Sequence, residues 1–245
     1  MNKKAMIYFI FLIIILLLSA SIYVIVKINK KECEIKIPHS IGAGTENMKE
    51  KDFFYINKDK CYIIWLGMDK KNGLAIVGPI NNSFFSNEHV DDETYSPNKR
   101  YCYKNECLGF DDNELFQILA NRKKNDNWVS YNGINNKTSI EDVYRILGKP
   151  TYQTYDEYEM IDELTFIFRK IENKKYIKVK DIDEFKMLAE SKNQVVDMRM
   201  FSIGYKDDGL MDFFGISRVV IPAGSGWWTA FDSNKWWLNY FENEW

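Results

Sequence analysis

Histidine is nearly missing from this chain: His39 and His89 are the only two among 245 residues. Both fall in loop-like sequence, so general bases of the commonest kind are scarce. The chain has no Gly-rich phosphate loop of either standard form. Ser225 in GSG lacks the G-x-S-x-G spacing of a nucleophile elbow. Basic excess is missing too. Of the 33 Lys and Arg residues, Lys3, Lys4, Lys27, Lys30 and Lys31 lie at the amino end, leaving 28 beyond residue 31 against 35 acidic ones. A net acidic domain argues against nucleic acid, whose binding is driven by neutralising phosphates. The four cysteines show no CxxC or Cys/His spacing, so no zinc site is expected. The acidic loop with Glu88, His89, Asp91, Asp92 and Glu93 lacks the alternate spacing and turn glycine of a calcium loop. No catalytic, cofactor or metal residues are assigned.

What is present begins with an uncharged apolar run of 22 residues, 5–26. As a helix it spans roughly 33 Å, enough for a bilayer core of about 30 Å. The reading is an uncleaved single-pass signal anchor in the inner membrane, touching lipid through 5–26. The competing reading is a cleaved secretory signal, with Lys3 and Lys4 before it and the small residues Ser19, Ala20 and Ser21 near its end. The flanking lysines lean toward a cytoplasmic domain by count, but that rule weakens for long translocated domains. Cys33, Cys61, Cys102 and Cys107 all follow the run. An even count without zinc spacing reads as disulfides, with 33–61 and 102–107 preferred among three pairings and four reduced thiols as the alternative. The domain is therefore expected to be extracytoplasmic.

The expected fold class is α+β: one transmembrane helix, then antiparallel sheet with a few short packing helices. Residues 1–31 form the anchor and 32–51, with Pro38, Gly42 and Gly44, a linker. A β-rich part covers 52–110, where strands at 52–56, 61–67 and 74–80 are joined by NKDK and by the Asn72-Gly73 turn signal. An α+β part covers 111–245. It opens with a helix over 111–122, capped by Asp111 with Glu114 at N3. A short strand or turn at 127–134 follows. TSIEDVYRILGKP at 138–150 predicts a helix with Thr138 and Glu141 as its capping box, Gly148 as C-cap and Pro150 as stop. Strands are expected over 155–160, 163–171, 176–180 and 195–205, with a helix capped by Asp181 between the last two.

The helix with Thr138, Glu141, Val143, Leu147, Gly148 and Pro150, followed by an antiparallel meander, resembles the BamE (SmpA/OmlA-like) envelope domain over residues 133–205. The resemblance implies helices on a three-stranded sheet and a protein–protein adaptor role. The family usually carries a lipidated cysteine where this chain has its apolar run, and the helix after Asp181 interrupts the meander.

Five of the seven tryptophans fall in the last 19 residues. Trp227, Trp228, Trp236, Trp237, Tyr240, Phe241 and Trp245 read either as a hydrophobic lid over the sheet, as interface anchors for a partner protein, or as rings at a membrane interface. The partner would be a toxin or an envelope component. The functional expectation is a non-catalytic binding module of the cell envelope, in one version immunity to a secreted toxin. Alternatives are a BamE-like assembly accessory and a hydrolase using paired carboxylates such as Asp156/Glu157 or Asp181/Asp183.

Overall fold

The computed structural model describes residues 12–16, 33, 35, 48–77, 99–103, 106–110, 113–121, 127–158, 160–171, 175–190 and 195–221. The chain forms two compact units, Met1–Glu34 and Ile35–Trp245. In the first, the stretch 12–16 is helical. No helix among the described residues is long and apolar enough to cross a membrane, so the expected transmembrane helix over 5–26 is not found, and its residues 5–11 and 17–26 lie outside the described residues.

The second unit is predominantly antiparallel sheet, which also replaces the expected α+β class. Its strands are β1 (Met48–Lys49), β2 (Phe54–Asn57), β3 (Tyr62–Trp65), β4 (Lys99–Tyr103), β5 (Glu106–Phe110), β6 (Leu115–Asn121), β7 (Trp128–Ser130), β8 (Tyr152–Asp156), β9 (Ile161–Ile171), β10 (Lys175–Lys178), β11 (Val196–Lys206) and β12 (Met211–Ile221). Among the described residues three eight-residue helices accompany them: α1 (Lys70–Val77), α2 (Ile140–Leu147) and α3 (Ile182–Ala189).

Nine strands make one sheet in the order β1-β10-β9-β11-β12-β6-β5-β4, with β8 also on β9. A second sheet runs β3-β2-β7. Side chains alternate across β11, so Phe201, Ile203 and Tyr205 enter one core while Met198 and Met200 enter another. The first core joins the two sheets. Phe53, beside β2, stacks on Phe201 at 5.4 Å and meets Phe168 and Tyr176 edge-on, while Trp128 of β7 lies 4.7 Å from Phe214 of β12. On the opposite face α3 lays Phe185 and Ala189 over Ile167, Met198, Met200 and Val219.

Two elements differ from expectation for local reasons. The strand expected at 74–80 is helix over 74–77, the second half of α1, which takes in Asn72 and Gly73 rather than turning at them, and 78–80 lie outside the described residues. Asp69 starts it: its carboxylate accepts the Asn72 N–H at 3.0 Å and its carbonyl the Gly73 N–H at 2.8 Å. Gly73 fits there because a Cβ would come within 2.9 Å of the Phe110 ring. The helix expected over 111–122 is instead strand β6. Leu115, Ile118 and Ala120 enter the first core, while Gln117 and Leu119 are buried as well. With buried side chains on both of its faces, the strand reads as a continuous apolar run rather than an alternating one.

α2 forms as expected, but its N-cap is Ser139, one residue on, whose hydroxyl accepts the Asp142 N–H at 3.1 Å. Thr138 turns back instead, accepting the Asn135 N–H at 2.9 Å. Gly148 ends the helix at φ +75°. Asp181 caps α3 by accepting the Glu184 N–H at 3.0 Å.

Candidate functional site

Antiparallel pairing of β9 with β11 sets Ile161 opposite Lys206 and Asp162 opposite Tyr205. The β8–β9 and β11–β12 connections therefore lie side by side at one end of the large sheet. Each tip is held by a side chain of its own. The Asp156 carboxylate accepts the Tyr158 N–H at 2.8 Å, and that of Asp208 accepts the Leu210 N–H at 2.9 Å. Both are Asx turns, which fix a loop without help from the core. Gly209 takes the left-handed backbone of the second tip at φ +75°. In the first, Met160 takes it at φ +53°, a conformation that favours glycine, and its side chain stays 56% exposed.

The Tyr155 hydroxyl donates to Asp207 at 3.4 Å and links the two tips. Desolvation, then the Asp207, Asp162 and Glu157 carboxylates, raise that phenol above its ordinary value. Behind the first tip a chain runs to α2: Tyr144 donates to Gln153 at 3.1 Å and Gln153 donates to Asp162 at 3.1 Å. Tyr205 donates to the Thr138 carbonyl at 2.8 Å and ties β11 to the approach to α2.

What these tips present is unusual for a surface. Tyr158 is 98% exposed and Tyr155 50%, beside Met160 and exposed Leu210. Asp156, Glu157, Asp162, Glu163, Asp207, Asp208 and Asp212 lie on the same two hairpin ends. On the same two hairpin ends stands Lys206, which pairs with Asp212 at 3.3 Å. Exposed apolar groups rimmed by charge mark interaction surfaces.

A second charged cluster is built into the sheet. Arg199 is 1% exposed, donates to Asp197 at 2.6 Å and to Glu50, and lies 5.2 Å over the Tyr176 ring. Asp197 also receives Arg218 at 3.2 Å and Lys170 at 3.3 Å, and Arg218 continues to Glu114. Three carboxylates meet three cations, so the charges balance within the cluster and it serves as a structural clamp.

The residues singled out from sequence fall in several places. The two acidic pairs are employed locally: Asp156 and Asp181 hold a turn and a helix start, as above. Cys33 and Cys61 are disulfide-bonded. Cys102 and Cys107 are cross-strand partners in β4 and β5. Trp227, Trp228, Trp236, Trp237, Tyr240, Phe241 and Trp245, with His39, His89 and Ser225, lie outside the described residues. Among the described residues no group of acidic, Cys or His side chains is arranged to hold a metal ion. The chain matches no protein-family model, no curated protein and no solved structure.

Sequence reasoning missed the double-hairpin surface. Its signal was the alternation of acid and apolar residues in YDEYEMIDE at 155–163, read only as a strand carrying an acidic pair. The contribution of 207–212 depends on the pairing of β9 with β11, which local sequence does not carry.

Proposed function

We propose that this chain is a non-catalytic, extracytoplasmic protein-binding module, and that the two hairpin tips are its binding surface. The observation that carries the reading is Tyr158, almost wholly exposed on a hairpin tip that also carries exposed Tyr155 and Met160 and several carboxylates. Tyrosine anchors bury large area at low entropic cost, and tips fixed by Asx turns need little ordering on binding. Seven carboxylates against one paired lysine select a partner with a basic face, and acidic fields of this kind also speed encounter with it. The disulfide-bonded Cys33 and Cys61 support an oxidising compartment. Residues 5–26, read as a secretory signal, are consistent with delivery there. In its most concrete form the role is immunity to a secreted antibacterial toxin with a basic surface.

A photo-crosslinking amino acid at position 158 should yield one discrete adduct in cells producing the partner, with a basic protein in it. The same probe at Met187, an exposed residue of α3, should yield none. Asp207→Lys with Asp208→Lys should weaken the captured complex by about 30-fold, equivalent to roughly 2 kcal/mol. Equal labelling at both positions, or no loss on charge reversal, rejects the surface. Deletion then separates immunity from envelope assembly. An immunity protein is dispensable until its toxin is present, whereas loss of an assembly factor leaves a leaky, detergent-sensitive envelope.

A further inference from the structure

The β4–β5 hairpin places two cysteines directly opposite each other. Tyr103 pairs with Glu106, and the next pair outward is Cys102 with Cys107. Only two residues, 104 and 105, separate the strands. A connection that short makes its flanking pair the hydrogen-bonded one, and antiparallel alternation then makes the next pair non-hydrogen-bonded. Cα atoms at such pairs stand about 4.5 Å apart, inside the roughly 4.4–6.8 Å range that a disulfide spans. Among the described residues β4 is also the last strand of the sheet order. An edge strand is where register is held most weakly.

We propose that Cys102 and Cys107 form a second disulfide, which locks the register of this edge hairpin. The proposal rests on the extracytoplasmic reading for its oxidant, a protein or small-molecule disulfide. Two thiols give up two protons and two electrons, the incoming disulfide leaves as two thiols, and one S–S bond forms across the hairpin.

Trypsin provides a direct readout, because Lys104 lies between the two cysteines. Full-length protein from acid-quenched, alkylated cells is denatured and digested without reductant. Peptide 101–104 should appear joined to 105–122, and 32–36 joined to 61–70, with both pairs separating on reduction. The reduced, purified chain exposed to glutathione disulfide should regain the same two links. The variant Cys102→Ser with Cys107→Ser should keep the 32–36/61–70 link. Alkylated 101–104 and 105–122 after in vitro oxidation, or either joined to 32–36 or 61–70, overturns the proposal. Closure in vitro with free thiols in cells upholds the geometry and instead rejects the extracytoplasmic reading.

Discussion

Arg199 shows what a buried charge requires. A guanidinium 1% exposed survives in this core because Asp197 and Glu50 both accept from it and the Tyr176 ring lies under it. Burial alone would raise the Asp197 carboxyl, but Arg199, Arg218 and Lys170 hold it below its ordinary value. A depressed folded value means that this contribution is present above the ordinary carboxylate range and is lost as pH falls through the folded value. Arg199→Met should cost about 3–5 kcal/mol, because it strands carboxylates that then lack their buried partner. The urea midpoint at neutral pH measures this, with the slope of the transition unchanged. Arg199→Lys should recover only part of the loss, since a single ammonium cannot reproduce the guanidinium's two-sided fork or its stacking on Tyr176.

At the level of elements, helix starts decide what forms. Ser139→Ala should cost about 1 kcal/mol by leaving the Asp142 N–H uncapped, with Ser139→Asp restoring it. Thermal or urea unfolding of the two variants checks this. A larger loss from Thr138→Ala would return the cap to Thr138, where the sequence pattern put it. The same chemistry explains what was legible. α2 and α3 carry an N-cap residue before an amphipathic turn, so their existence was readable and only the Ser139 cap shifted by one position. β2, β3 and the long strands β9 and β11 also matched their apolar runs. α1 was missed because Asn72-Gly73 is the strongest short hairpin signal, and only Asp69 with the Phe110 ring over Gly73 outweighs it. β6 was missed because LFQILAN buries both faces and has no period of two to find. The site was half legible in the same sense. YDEYEMIDE lies in one stretch, but its partner tip at 207–212 is brought beside it by a ladder between residues 29 to 45 positions apart.

Across the second unit, one aromatic core is shared by the two sheets and α2, with Phe53, Tyr131, Val143, Phe168, Phe201 and Phe214 in a single cluster. Elements that share one core lose it together, so this unit should unfold in one transition. Tyrosines withdrawn from water give that transition a pH dependence on the alkaline side. Burial pushes Tyr131 up to about 12, with Asp52 adding to the shift, and pushes Tyr152 up to about 12 as well. Tyr176 and Tyr205 are raised in the same direction, again chiefly by burial. In the unfolded chain these phenols titrate near 10. Between the two values the folded protein keeps protons that the unfolded chain has released, so stability must fall as pH rises. The loss begins near pH 10 and continues toward 12, at no more than about 1.4 kcal/mol per pH unit for each such group. Urea midpoints at pH 8, 10 and 11 should show a plateau followed by a decline. Tyr131→Phe should flatten that decline, because the folded and unfolded states then differ by one fewer proton, whatever the substitution does to stability at pH 8. An unchanged slope in that variant would mean that the alkaline limb belongs to other groups and that Tyr131 is not the buried phenol described.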